Sequence, residues 1–249
     1  MVKTLILSGM LVTSLFFCGC GTVMFSPKVD SIISKMKVAQ DPQGKLATIQ
    51  SKKVVALFRR NTKDKPALLT VLTKKPNMIK ISLINPGAIS IQKGFDGKTG
   101  WRLVTGKSLE ILSGKALEAL HFIAAFRAPG VNLSDLFETI ELKGESIEAG
   151  RKCYELNCVP LSKFELPSIT YYIDKETYLP IKRVESHRMS NGKLLVIYIY
   201  FNDYYSENGI MIPHNTVSEV NGELMEVNVK SVKWNVPCTQ EDFAAPTEL

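Results

Sequence analysis

Cysteine and histidine have the widest chemical reach of any side chains in this chain, and their spacing closes off most of the reactions they could serve. Its 249 residues include five cysteines and three histidines. His121, His187 and His214 form no His-Glu-x-x-His, the helical pair that ligates zinc beside a glutamate base. No Gly-x-Ser-x-Gly elbow presents a serine nucleophile. Gly97-Lys98-Thr99 and Gly106-Lys107-Ser108 look like the ends of phosphate-binding loops. The glycine needed five residues before each Gly-Lys is instead Gln92 or Trp101, so both read as turns. Asp174-Lys175-Glu176-Thr177 is also a turn, with Asp174 bonding the backbone. It lacks the further carboxylates that calcium would need. His121 reads as a hydrogen-bonded histidine of the core or its edge. No Cys-x-x-Cys appears, and Cys153 and Cys158 lie five apart in a strand. That spacing puts them about 16 Å apart on opposite faces, beyond the roughly 7 Å that a disulfide spans. If either pairs, Cys238 is its partner and one thiol stays free. The sequence therefore predicts no catalysis, no metal and no cofactor.

One cysteine does stand in a chemical context. Met1-Val2-Lys3 gives a short, positively charged start, Leu5 to Phe17 is mostly apolar, and Phe17-Cys18-Gly19-Cys20 follows. A charged start, an apolar run of about 7–15 residues and a small-residue cleavage point describe a secretory signal. The run is shorter than the roughly 20 residues of a membrane span. A cysteine at the cleavage point resembles a bacterial lipobox. There the thiol is diacylated, the signal is removed, and the cysteine becomes the lipid-bearing N-terminus. Cys20 is the expected lipidation site, since bulky Phe17 precedes Cys18. Phe17 also stands where the usual lipobox has leucine. Gly21 follows Cys20 where an inner-membrane retention signal commonly places aspartate, so the expected location is the outer membrane, facing the periplasm.

Composition fits an exported globular domain. Hydrophobic residues make up 45% and charged residues 22%, with a formal charge of +7. Export argues against nucleic acid as a partner. The basic residues (Lys52, Lys53, Arg59, Arg60, Lys74, Lys75, Lys230 and Lys233 among them) are scattered and read as a solvated face, with at most a weak pull toward anionic headgroups.

The rest of the chain supplies strands, turns and two helices. Asp30 can cap a helix at 31–40, with Ile32, Ile33 and Met36 on one face and Pro42 and Gly44 ending it. Strand-like segments follow at 54–58, 68–72 and 79–83. Asp96-Gly97, Asn191-Gly192, Asn208-Gly209 and Asn221-Gly222 then mark tight antiparallel hairpins. Residues 194–201 are apolar on both faces, so something covers each side. Residues 114–127 read as a helix apolar nearly all round, the mark of a buried or covering helix. Asn132 or Ser134 could start a second, short helix through Phe137. No linker or repeat divides the chain. The expectation is a mainly β (α+β) single domain at 30–249, a half-open antiparallel β-barrel with a covering helix. A signal at 1–19 and a lipid-anchored tether at 20–29 precede it.

Three groups of residues, in order, resemble the LolA/LolB-like family of lipoprotein-sorting proteins over about residues 28–247. The first is Lys75-Pro76-Asn77-Met78-Ile79-Lys80 with Phe95-Asp96-Gly97-Lys98-Thr99-Gly100-Trp101. The second is Gly150-Arg151-Lys152-Cys153-Tyr154-Glu155-Leu156 with Tyr171-Tyr172-Ile173-Asp174-Lys175-Glu176-Thr177-Tyr178-Leu179-Pro180. The third is Asn208-Gly209-Ile210-Met211-Ile212-Pro213, then Asn235-Val236-Pro237 and Asp242-Phe243. The resemblance implies an unclosed barrel, helices over its concave face, and a cavity for acyl chains of lipids or lipoproteins. Leu117, Leu120, Phe122, Ile123 and Phe126 of the helix are the expected lining, joined by Ile197, Ile199 and Phe201 of the two-faced strand. The competing expectation is a packed barrel that binds an envelope protein.

Overall fold

Two-residue alternation broken by tight turns dictates a meander, and the computed structural model contains one of thirteen strands. It describes residues 26–61, 65–85, 87, 89–188 and 194–247, without the side chains of residues 187 and 188. The strands are β1 (Ser51–Arg59), β2 (Ala67–Lys74), β3 (Met78–Ile84), β4 (Ile91–Phe95), β5 (Gly100–Val104), β6 (Glu110–Ile111), β7 (Phe137–Glu148), β8 (Arg151–Pro160), β9 (Ile169–Asp174), β10 (Pro180–Arg188), β11 (Leu194–Glu207), β12 (Ile210–Val220) and β13 (Glu223–Trp234). They pair in the order β6-β5-β4-β3-β2-β1-β13-β12-β11-β10-β9-β8-β7, leaving β6 and β7 as open edges. Each half is a run of neighbouring hairpins. The two halves join where β1 meets β13, with Lys52 opposite Trp234.

The turn chemistry explains the register. Asn208 and Gly209 have φ of 55° and 83°, and Asn221 and Gly222 have 51° and 78°. Two successive left-handed residues match the twist of the flanking strands. At Asp96 the side-chain oxygen accepts from the Lys98 and Thr99 amides at 2.8 and 2.7 Å, closing the β4–β5 turn. Asn191-Gly192 lies outside the described residues; β10 and β11 pair up to Arg188 and Leu194 on either side of it.

The first helix, α1 (Pro27–Gln40), starts earlier than Asp30 suggests. Ser26 is the cap, its hydroxyl accepting from the Val29 amide at 3.5 Å, and Pro27 takes the first turn, where a missing N–H costs nothing. Asp30 instead sits in the first turn, facing the positive end of the helix dipole. The expected tether at 20–29 thus overlaps the fold, because Val29 is fully buried. Beyond the helix, Asp41 accepts from the Lys45 and Leu46 amides at 3.0 and 2.7 Å. The second helix, α2, runs Gly114–Arg127 as expected. The short helix expected through Phe137 is one 3-10 turn at Leu133–Asp135; Phe137 is fully buried and opens β7.

A single contact pattern shows that the sheet curls. His121 of α2 stacks on Phe95 of β4 at 5.0 Å, while Phe126 of the same helix lies 6.5 Å from Tyr171 of β9. In the sheet order β4 and β9 are eight places apart. At about 4.8 Å per strand a flat sheet would separate them by about 38 Å. A helix only about 10–12 Å across touches both, so the sheet wraps around it. Two buried clusters result. Leu120 and Ala124 pack with Val71, Ile79 and Phe95 on one side. Phe122 packs with Val29, Ile32 and Ile33 of α1 and with Phe137, Leu156, Phe164 and Ile173 on the other.

The convex face has its own clasp. Trp101 is fully buried and donates from Nε1 to the Phe243 carbonyl at 2.8 Å. Opposite it on β4 stands Gly94, where any Cβ would lie 2.6 Å from the indole. The glycine is required there by close approach, not by its backbone angles.

Candidate functional site

The helix residues singled out from the sequence divide between the two clusters. Leu117, Leu120 and Ile123 pack toward β2, β3 and β4. Gly100 makes room for that approach, since a Cβ there would lie 2.7 Å from Leu117. Phe122 is buried, its ring 5.1 Å from Phe164 and 5.9 Å from Phe137. Phe126 is half-buried and stacks on Phe122 at 5.8 Å.

Ile197, Ile199 and Phe201 alternate along β11, so they share one face. Ile197 stands opposite Glu185 and Ile199 opposite Arg183, and Arg183 in turn stands opposite Tyr171. Tyr171 packs in the α1–α2 cluster, so all of these point into the curl. Ile199 is buried, and Ile197 and Phe201 keep partial exposure. Phe126 and Phe201 converge on one charge, the Arg183 guanidinium, at 5.4 and 5.9 Å from their rings.

That charge belongs to a group the sequence reading missed. Lys52 shares the inner face with Val54, and Lys93 shares it with Phe95; pairing across β1–β4 puts Val54, Val71, Ile81 and Lys93 in one row. Arg127 closes α2 between these walls. It is exposed to solvent, yet surrounding protein lowers its pKa by desolvation, with Arg183 adding to the effect. Burial and the Arg127 charge also bring the Lys52 ammonium down to about 8, and burial lowers Lys93 too. Glu185 meets Arg183 at 2.7 Å. The missed signal was period two: a lysine two places from Val54 or Phe95 shares its face. The reading of Lys52 as solvated surface is corrected by its place inside the curl.

Other expectations concern single residues. His121 is bonded to Asn77 at 3.0 Å between Phe95 and Phe164, and burial, helped by Lys163, keeps its imidazole below its ordinary pKa. Asp174 accepts from the Glu176 amide at 2.8 Å. Cys153, Cys158 and Cys238 are all free, and burial pushes the Cys158 thiol up to about 12. Among the described residues no cluster of His, Cys, Asp and Glu could hold a metal, and no helix is long and apolar enough to cross a membrane. Cys20 lies outside the described residues.

Two hollows open elsewhere, neither lined by α2. One of about 570 Å³ lies along the β7 edge between Ser26, Lys28 and residues 138–143. Another of about 370 Å³ lies between Lys80, Gln92, Trp101 and residues 241–247.

No family model matches the chain, and no curated protein matches it by sequence. Solved structures do. A domain described as outer membrane lipoprotein-sorting from Vibrio parahaemolyticus is 13% identical, with a TM-score of 0.57 over 86% of this chain and 94% of that one. A LolA superfamily protein from Nitrosomonas europaea is 15% identical, with a TM-score of 0.57 over 87% and 97%. A DUF1329 family protein from Desulfovibrio piger is 16% identical, with a TM-score of 0.58 over 86% and 97%. At these identities the likeness is one of fold, and that fold is the LolA-like open barrel.

Proposed function

We propose that this chain, which has the fold of the LolA superfamily, is a lipid-anchored protein of the bacterial envelope that binds acyl chains of lipids or lipoproteins inside its curled sheet. The observation that carries the reading is the convergence of half-buried Phe126 and Phe201 on the Arg183 guanidinium, with the solvent-exposed Arg127 next to Phe126 in the chain. A closed core would leave no such group wet. Burying one CH₂ contributes about 0.8 kcal/mol, so an acyl chain crossing water needs a sleeve of this kind. Ile197 and Ile199 extend the apolar wall, and Leu117, Leu120, Phe122 and Ile123 seat the helix that covers it. The signal at 1–19 and acylation at Cys20 would hold the protein on a membrane, with the outer membrane favoured by Gly21. The likeness to a lipoprotein-sorting domain and a LolA superfamily protein supports the same reading.

Native mass spectrometry with lipid extraction tests it. Bound lipid near one equivalent, or saturable uptake of a fluorescent fatty acid, is the expected result. Clean protein that takes up no probe refutes it. A second reading, an interaction protein, draws on the open edge of β7 beside its hollow, where an extended peptide could add a strand. Protection of β7 amides by a partner, with no lipid bound, would select it.

A further inference from the structure

The curled sheet holds more positive charge than an acyl chain requires. Lys52 and Lys93 stand on one wall, Arg183 on the other, and Arg127 between them at the end of α2. Glu185 is the carboxylate that acts on this group, and it is engaged with Arg183 at 2.7 Å. Arg102, directly opposite Lys93, adds a fifth cation and is engaged by Glu110 at 2.6 Å, so five cations face two anions, and the Arg127 charge acts against both lysines.

A second observation is independent of the charges. Among the described residues four buried side-chain polar atoms have no hydrogen-bond partner, and two of them are N–H donors on this same face. One is Arg183 Nε. The other is Trp234 Nε1, on the residue directly opposite Lys52, whose ammonium lies 5.9 Å from the indole ring. A buried donor without an acceptor costs about 1–3 kcal/mol, so folded proteins rarely leave one unmet. Unmet donors and unbalanced cations call for the same thing: an oxygen-rich anion.

We propose that Lys52, Lys93, Arg127 and Arg183, with the Trp234 N–H, receive the phosphate or carboxylate of the ligand whose acyl chain lies along Phe126 and Phe201. The inference rests on the acyl-binding reading and adds the class of ligand: an anionic lipid rather than a neutral one. A planar guanidinium suits a two-oxygen contact, while each ammonium acts as a point charge. The amphiphile is then held at both ends, its chain by apolar walls and its head by charge.

Titrating the purified full chain with cis-parinaric acid and with its methyl ester tests the inference. The acid should bind about tenfold more tightly, the worth of one charge-assisted hydrogen bond. Arg127→Gln, and separately Lys93→Gln, should bring the ratio toward one, with thermal denaturation showing that each variant folds. Butyl phosphate should displace the acid and not the ester. Equal affinity for acid and ester in the unaltered protein overturns the inference while sparing acyl binding, and so does a ratio unmoved by both variants. If neither probe binds, acyl binding fails, and inorganic phosphate followed by amide chemical shifts decides the rest. Shifts lost in Arg127→Gln sustain an anion site for free phosphate; no shifts overturn both.

Discussion

Placing a carboxylate at Phe126 and, separately, at Phe122 separates a covering helix from a plug. The two rings stack at 5.8 Å, but their surroundings differ. Phe122 is 6% exposed and meets the rings of Phe137 and Phe164. Phe122→Asp therefore buries an unpaired carboxylate and removes a core ring, which together cost at least about 5 kcal/mol. That is comparable to the whole stability of many domains. Phe126 is half-buried and lies 5.4 Å from the Arg183 guanidinium. Truncating a half-buried ring costs about 2 kcal/mol, and a new partly exposed ion pair offsets at most about 1 kcal/mol of that. The net is about 1–2 kcal/mol, or a fall in Tm of about 2–8 °C for a chain of this size. In the same variant fatty-acid uptake should drop sharply, since the new carboxylate competes for the Arg183 guanidinium. Thermal denaturation beside a fluorescent fatty-acid titration reads both quantities. Equal loss of stability in the two variants would refute the reasoning and place Phe126 in a closed core.

Three further outcomes are expected. Gly94→Ala should destabilise by about 2 kcal/mol in urea denaturation, because its Cβ would lie 2.6 Å from a fully buried Trp101; a change under about 0.5 kcal/mol would contradict the clasp. Lys52, brought down to about 8 by burial and Arg127, gives two pH slopes of opposite sign. The unfolded chain binds the proton more tightly, so the free protein gains stability as pH rises from about 8 toward 10.5, the ordinary lysine value. An anionic ligand needs the proton kept, so its affinity falls over the same range. Lys52→Met should flatten both, as read by denaturation and by the acid titration. Finally, Cys20→Ser should abolish labelling by palmitate and release the protein from the membrane fraction, and Cys18→Ser should do neither; label on Cys20→Ser protein would refute the assignment.

What the sequence made legible was the part governed by local rules. Asn-Gly turns and two-residue alternation specify the meander, and α2 announced its role by being apolar nearly all round. Competition defeated other readings. Ser26 and Asp30 both suit a helix start, and a proline at position 27 decided between them. β7 alternates Ile140 and Leu142 with Glu138, Glu141 and Lys143, the charged pattern that protects an open edge and hides a strand from a search for apolar runs. The inward cations were overlooked for a related reason. A lysine on a strand usually faces water, and only pairing across β1 to β4 shows that Lys52 and Lys93 lie beneath a helix.

The β1–β13 joint also sets an order of events in time. Every other pairing joins neighbours along the chain and closes a short loop, whereas this one brings together opposite ends of the described fold. Loop closure of that length is entropically the most demanding step and slows folding accordingly. Lys52 and Trp234 sit on that seam. The hairpins can form in either half without them, and the cations of the two halves come to face one another only when the last seam zips. Ligand capture during refolding should therefore track the slowest phase, making the bound anion a clock for completion of the sheet.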